Sequence, residues 1–479
     1  MLIPVILIHI KKHQRRCFKM KKFLSEAANV HPSDRQKKWF DVNMYAFIHF
    51  GVNTFTDSEW GLGNEDPAIF HPEKLNCDQW CEAIKAAGFK GVVLTCKHHD
   101  GFCLWPSKYT EHSVKNSPFK GDVVKMVSDA CRRYGLKFGI YLSPWDRNSA
   151  LYGTDAYNDY FVNQLTELLT EYGEIFYIFF DGACGEGPNG KVQKYDFPRY
   201  IETIRRYQPD AVIFNDGGPD VRWVGNEAGK ARHSEWAVCP KELCHYAEVQ
   251  TGEGPLAENG DLNFLYNTDD EIGSLSTILY SKGLTFCPSE IDTSIRRGWF
   301  WHKDEEPKSL DTLFKIYLTS VGGNASLHLN IPPTTEGLLD ERDVKRLHEF
   351  GALIESEFSK PAGVRMDKTG GSDMQPEYTL TFDGEKAIKY VVLEEDISKG
   401  QRIESFSIYM ENKGGRDFPV FQGTAVGNRK ICPLYDPFAL QNPLIATGRA
   451  LPTALKLKVK AARGEVILRK FEAYEDIHS

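Results

Sequence analysis

Six consecutive apolar residues, Ile175 to Phe180, run straight into Asp181 and Gly182 in the segment EIFYIFFDGACG. A short run that is apolar at every position fits a strand covered on both faces, as in a parallel sheet flanked by helices. In α/β barrels the catalytic groups occupy the carboxyl ends of such strands, so the position of Asp181 points to chemistry. The competing reading is an aspartate that caps the following loop.

The same unit recurs along the chain. NMYAFIHFG (43–51) reads as a first buried strand with His49 at its end, followed by the loop NTFTDSEWG with Glu59 and Trp60. An amphipathic helix from about Cys77 stops at Gly88, and the β-branched run GVVLT (91–95) delivers KHHDGFCLW into a loop. A helix from Asp122 to Tyr134 precedes the strand KFGIYLS, and a helical period from Ala156 to Tyr172 leads into the Asp181 strand. Further helices are predicted over Phe197–Tyr207 and Leu310–Val321, with strands at Ala211–Phe214, Leu284–Pro288 and ASLHLNIPP. The glycine-rich stretch NDGGPDVRWVGNEAG is expected to be irregular. Strand and helix alternating over about 300 residues predict one (β/α)8-like TIM barrel. The absence of a GxGxxG fingerprint or P-loop after any strand argues against a doubly wound nucleotide-binding fold.

After a helix near Asp340–Phe358 the texture changes to short alternating segments such as YTLTFDG, AIKYVVLEED, ESFSIYME and ALKLKVK, the pattern of an antiparallel β-sandwich. The expected organisation is an irregular leader over 1–35, a catalytic barrel over 36–358 and a sandwich over 359–479.

Composition narrows the function. Lys plus Arg total 58 against 66 Asp plus Glu, a net charge of -8, with no long basic run beyond the first twenty-odd residues, so nucleic acid is not an expected partner. The 11 cysteines are scattered without framework spacing, which favours free thiols in a reducing, cytoplasmic setting. The opening MLIPVILIHIKKHQRR places its apolar run before its basic residues, the reverse of a secretory signal, and the run is too short for a membrane span. A mis-assigned start before Met20 would leave a periplasmic or secreted location open.

A barrel would gather His49, His98, His99, Tyr141 and Asp181 at one rim, with Glu59, Trp60 and Glu227 on adjoining loops. Imidazoles and a carboxylate give directional hydrogen bonds to sugar hydroxyls, and an indole offers a wall to the C–H face of a sugar. His98-His99-Asp100 also reads as a metal site or as structural histidines, but neighbours on a strand point to opposite sides, which disfavours a shared ion. Cys77 and Cys81 lack two further ligands at metal spacing. No metal is expected.

YAFIHFGVNTFTDSEWG, GFKGVVLTCKHHDGFCLWPS, FFDG, RWVGNE, RRGWFWH and LHLNIPPTTEGLL, in this order, resemble the retaining α-L-fucosidases of glycoside hydrolase family 29, from about residue 33 into the sandwich. The resemblance implies hydrolysis of terminal L-fucose from a fucosylated oligosaccharide or glycoconjugate without a cofactor. It makes Asp181 the nucleophile and Glu227 of RWVGNE the acid/base, with Glu235 and Glu290 as competitors. It assigns the fucose pocket to His49, Glu59, Trp60, His98, His99 and Tyr141, with Trp299 against the fucose methyl group. The two carboxyls of a retaining pair are expected about 5 to 5.5 Å apart. The motifs look most like the branch of the family that prefers α-1,3- and α-1,4-linked fucose on branched N-acetylglucosamine.

Overall fold

The structure is a computed structural model that describes residues 23–215, 218–241, 271–279, 281–363, 365–411, 417–434 and 451–476. The leader through residue 22, the rim residues Asp216 and Gly217, and Cys244 therefore lie outside the described residues. A closed barrel of eight parallel strands forms its first part. The strands are β1 (Met44–Ile48), β2 (Gly91–Lys97), β3 (Lys137–Leu142), β4 (Tyr177–Phe179), β5 (Val212–Asn215), β6 (Val221–Trp223), β9 (Ser289–Ser294) and β10 (Ser326–Asn330). Each pairs in parallel with its neighbours, and β10 closes on β1 with Phe47 opposite Asn330. Between β6 and β9, β7 (Val238–Pro240) and β8 (Leu284–Phe286) make a separate antiparallel pair.

The helices start and stop where their residue chemistry requires. Asp122 accepts from the Lys125 N–H and caps the helix Val123–Tyr134, and Gly135 ends it at φ 68°, a left-handed conformation that glycine adopts without a Cβ clash. Asp196 caps Phe197–Tyr207 in the same way, with Pro198 in the first turn. The apolar faces of these helices bury against Ile48, Leu94, Ile140 and Ile178, the outward-facing residues of the strands.

Alternation sends the other residues of each strand into the barrel, where they stack in layers. Tyr45 and Tyr177 form the lower layer, and both hydroxyls bond the Glu290 carboxylate, which also faces His328 Nδ1 at 3.1 Å. Above them Phe47 stacks on His328 at 4.1 Å and Phe179 on Phe214 at 4.2 Å. Tyr177 and Phe179 both face inward, so Asp181, two residues on, continues the same side at the open rim.

Two expectations fail here. The stretch expected to be irregular contains β6, whose Val221 and Arg222 pair with Phe214 and Asn215. Leu284–Phe286 is not a barrel strand, and that place is taken by SEIDTS, β9. Glu290, Asp292 and Ser294 of β9 find hydrogen-bond partners inside the barrel, so the strand carries no apolar signature. Among the described residues no helix is long and apolar enough to cross a membrane.

Beyond the helix Glu341–Phe358 lie a five-stranded sheet and a three-stranded sheet, both antiparallel, around a second apolar core that includes Leu380, Val391, Phe406 and Leu457. This unit is not loosely tethered. Phe358 packs on Tyr390 and Tyr474 with ring centroids 5.2 and 5.3 Å apart, and Lys389 pairs with Glu357 at 2.6 Å. Lys430 Nζ donates to His233 O at 2.9 Å, and Ser234 Oγ meets Thr424 Oγ1 at 2.6 Å, so the sandwich also holds the loop after β6. A truncation at residue 360 strips these partners and exposes Phe358. We expect it to be poorly soluble or to melt at least about 5 °C lower, read by thermal scanning. A soluble truncation with the parent Tm and activity would show that the contacts contribute nothing.

Candidate active site

Asp181 sits two residues beyond β4, partly exposed, at the mouth of the barrel. Its Oδ1 accepts the Ala183 N–H at 2.7 Å and its Oδ2 accepts the Tyr141 hydroxyl at 3.1 Å. Burial and the charge of Asp181 hold the Tyr141 pKa well above the usual phenol range, so this hydroxyl is a permanent donor. The loop after β4 can bend to present the carboxylate because Asp181 bonds its own backbone two residues on.

Three histidines lie at the same rim, two of them with ring centroids within 6.0 Å of Tyr141 and the third facing Asp181. His49 follows β1 directly, and its Nδ1 donates to Asn330 Oδ1 at 2.9 Å. Burial lowers its pKa to about 3, so the ring is neutral and its Nε2 carries a free lone pair. His99 Nδ1 lies 2.7 Å from Ser143 Oγ, whose own proton goes to Trp145 O, so Nδ1 is the donor. His99 Nε2 then faces Asp181 Oδ2 at 4.0 Å as an acceptor, with burial lowering its pKa too. His98 stacks on Tyr141 at 5.6 Å, and its buried Nδ1 has no hydrogen-bond partner in the structure. His98 and His99 lie past the end of β2, so strand alternation does not separate them; their ring centroids are 4.1 Å apart. Among the described residues no three His, Cys, Asp or Glu side chains group to hold a metal ion. Cys81 lies 4.0 Å from Cys131, and the described cysteines are all free thiols.

The loop after β6 carries Glu227. Asn226 Oδ1 accepts the Ala228 and Lys230 N–H groups, Arg232 Nη1 donates to Val224 O at 2.9 Å, and Thr293 Oγ1 donates to Glu227 O at 2.9 Å. The residue is exposed, yet its carboxyl accepts the Trp299 indole N–H at 3.2 Å. Partial desolvation of that carboxyl by its neighbours, with the charges of Asp181 and Glu59 nearby, raises its pKa above the ordinary glutamate value against the opposing effect of the indole bond. Trp223 of β6 donates its indole N–H to Asp292 at 2.6 Å.

The competitors are placed differently. Glu235 is buried between Arg222 at 2.8 Å and Arg232 at 3.3 Å, and its pKa is lowered because the two guanidiniums outweigh burial. Glu290 lies in the lower layer of the barrel, bonded by two tyrosines and facing a histidine. Neither opens to the rim.

Glu59 and Trp299 meet across the mouth. Glu59 Oε2 accepts the Trp299 N–H at 2.8 Å and Oε1 the Phe300 N–H at 3.3 Å, while Asn330 Nδ2 donates to Trp299 O at 2.7 Å. The Trp299 ring lies 5.0 Å from His49. Trp60 stands edge-on to His99 and Trp145 and is 55% exposed, an apolar surface facing solvent at the entrance. Lys97 and Asp146 make a buried ion pair at 2.9 Å behind the histidines, tying the ends of β2 and β3 together.

Sequence reasoning missed four residues of this site. Asn330 fixes both His49 and Trp299. Asp292, inward-facing in β9, has its pKa raised well above the ordinary aspartate value by burial and by the charges of Glu290 and Glu227. Asp57 and His302 flank Glu59. Their motifs were visible in TDSEWG and RRGWFWH, but the contact between them arises only from the fold.

The sequence model of the alpha-L-fucosidase family matches residues 13–357. Alpha-L-fucosidase 1 of Arabidopsis thaliana is 40% identical over 433 residues, covering 84% of this chain and 81% of that protein. A crystal structure of a glycoside hydrolase 29 family member from an unknown rumen bacterium is 37% identical and superposes with a TM-score of 0.79, covering 93% of this chain and 77% of that one. A Ruminococcus gnavus fucosidase of the same family, solved in complex with fucose, is 26% identical with a TM-score of 0.78 over 94% of this chain and 96% of that one.

Proposed function

Because the chain belongs to the alpha-L-fucosidase family, glycoside hydrolase family 29, we propose that it removes terminal L-fucose with retention, Asp181 acting as nucleophile and Glu227 as acid/base. The observation that carries this reading is the pair of unlike carboxyls at one rim. Asp181 is held by the Tyr141 hydroxyl and a backbone N–H, while partial desolvation and the neighbouring charges favour the protonated form of Glu227.

In the first step Asp181 attacks the anomeric carbon and Glu227 gives its proton to the departing oxygen. The charge of Asp181 is one of the causes that raise the Glu227 pKa, and bond formation removes that charge. Glu227 thereby becomes a better-ionised base at the moment it must take a proton from water, and the second displacement frees Asp181. His49 and His99, both neutral with Nε2 open, accept hydroxyl protons of the sugar, and Trp299 covers its apolar face. The distance between the carboxyls in a trapped covalent intermediate and the anomer released first, seen by NMR, test this assignment. Release of inverted fucose would overturn it.

The linkage preference is part of the same proposal. The rim segment Gly218–Glu235, which contains β6 and carries Glu227, is held by the sandwich through His233 and Ser234. A galactose bound there can use its binding energy in the transition state. A Lewis trisaccharide is then hydrolysed with kcat/KM about 100-fold above 2'-fucosyllactose or an aryl fucoside, the scale that one or two well-placed hydrogen bonds supply. Comparable kcat/KM values for all three would leave an enzyme of broad specificity.

A further inference from the structure

The loop after β1 and the loop after β9 meet through one imidazole. His302 Nδ1 lies 2.6 Å from Asp57 Oδ1, and His302 Nε2 lies 2.7 Å from Glu59 Oε1. An ionised carboxylate can only accept, so a ring bonded to carboxylates at both nitrogens donates at both and is an imidazolium. The contact is built into the backbone. A Cβ at position 298 would strike Glu59 Oε1 and come within 2.8 Å of the His302 ring, so Gly298 makes room for the pair. Asp57 itself takes a left-handed φ of 54° at the end of the short helix Val52–Thr56, which aims its side chain at His302.

What the pair holds is the wall of the pocket. The same Glu59 carboxylate accepts the backbone N–H groups of Trp299 and Phe300, and the Trp299 indole N–H bonds Glu227. A continuous chain of hydrogen bonds thus runs from Asp57 through His302, Glu59 and Trp299 to the acid/base carboxyl. We propose that His302 is a positioning residue, a cationic clamp whose protonation fixes Glu59 and the Trp299 wall, so that fucose binds tightly only while the clamp is charged. The proposal rests on the reading that Glu59 and Trp299 line the fucose pocket.

The surroundings fit a stable cation. Burial works against its charge, but the hydrogen bonds and charges of Asp57 and Glu59 prevail and raise the His302 pKa. Two charged residues of its own segment also bond there: Arg296 donates to His302 O at 3.4 Å, and the Glu305 N–H donates to the same oxygen at 3.2 Å while its carboxylate accepts the Gly298 N–H. Arg296 is itself paired with Asp340 and Asp343, so its charge is balanced. A raised folded-state pKa means the clamp is intact at and below the ordinary histidine pKa and is lost as pH rises through the higher value.

The test measures L-fucose binding to the full chain by calorimetry across pH, in a Glu227→Gln background that removes the titration of Glu227. Affinity is expected to fall as pH rises. His302→Asn should bind about tenfold more weakly at pH 6 and lose that dependence, because a charge-assisted bond to Glu59 is gone. Asp57→Asn, a change at an exposed side chain, should move the fall to lower pH. Trp299→Ala serves as the check on the pocket: if it leaves fucose affinity intact, the pocket reading fails. If Trp299→Ala weakens binding but His302→Asn and Asp57→Asn match the parent at every pH, the clamp is refuted alone. Nitrogen-15 imidazole spectra give an independent readout, and a His302 ring that is singly protonated at pH 6 would equally refute it.

Discussion

Asp181→Ala is expected to lower kcat by at least about 10⁴-fold, the scale on which removal of a covalent catalytic group is felt. The side chain is partly exposed at the rim and bears no layer of the core, so the variant should fold, with Tyr141 losing one hydrogen-bond acceptor. Two measurements separate loss of the nucleophile from loss of the pocket. Binding of L-fucose should persist, since His49, His99 and Trp299 do not depend on Asp181 for their placement: Asn330 fixes the first and third, and Ser143 the second. Added azide should enter the vacated space and release a fucosyl azide of inverted configuration from an activated aryl fucoside. A variant with near-parent turnover would remove Asp181 from the mechanism, and rescue with retained configuration would place the nucleophile elsewhere.

The parts of this molecule that the sequence disclosed are those where one face of an element meets apolar atoms and the other meets water or a second apolar layer. The helix Phe197–Tyr207 and strands β1 to β5 follow their hydrophobic periods closely because the barrel wall packs on Ile48, Leu94, Ile140 and Ile178. β6 and β9 escaped for the opposite reason. Glu290, Asp292 and Ser294 point into the barrel and are satisfied by Tyr45, Tyr177, Trp223 and Asn330, donors contributed by distant strands, so a buried strand reads as a polar loop.

The site divides in the same way. His49, Tyr141 and Asp181 follow from position at strand ends, a local property. The preference for Glu227 over Glu235 comes only from the resemblance carried by RWVGNE; that Arg222 and Arg232 enclose Glu235 and leave Glu227 at the rim is a property of the fold. The link from Asp57 to His302 spans 245 positions and has no sequence signature beyond two motifs that happen to contain its members.

Glu227→Gln should divide substrates by the quality of their leaving group. A glycan's sugar hydroxyl departs poorly as an alkoxide and needs the proton that Glu227 supplies, so kcat/KM on a fucosylated glycan falls by about 10² to 10⁴-fold, the usual worth of general acid catalysis. A nitrophenolate departs without help, so the first step on an aryl fucoside is spared and the slow hydrolysis of the fucosyl-enzyme becomes limiting, visible as a burst of phenol. The pH profile adds an independent sign. Glu227 must enter protonated, and partial desolvation raises its pKa, so the parent's kcat/KM on the glycan is high on the acid side and falls as pH rises through that raised value. In the glutamine variant nothing titrates at that position, and the fall attributable to it disappears. Glu235→Gln is the control: it leaves Arg222 and Arg232 buried without their carboxylate, which costs about 3–5 kcal/mol of stability and lowers Tm, with no dependence of the activity loss on leaving group. Should Glu235→Gln or Glu290→Gln, rather than Glu227→Gln, show the leaving-group pattern with an unaltered Tm, the proton would have to come from a residue that the fold keeps away from the rim, and the assignment of Glu227 would be wrong.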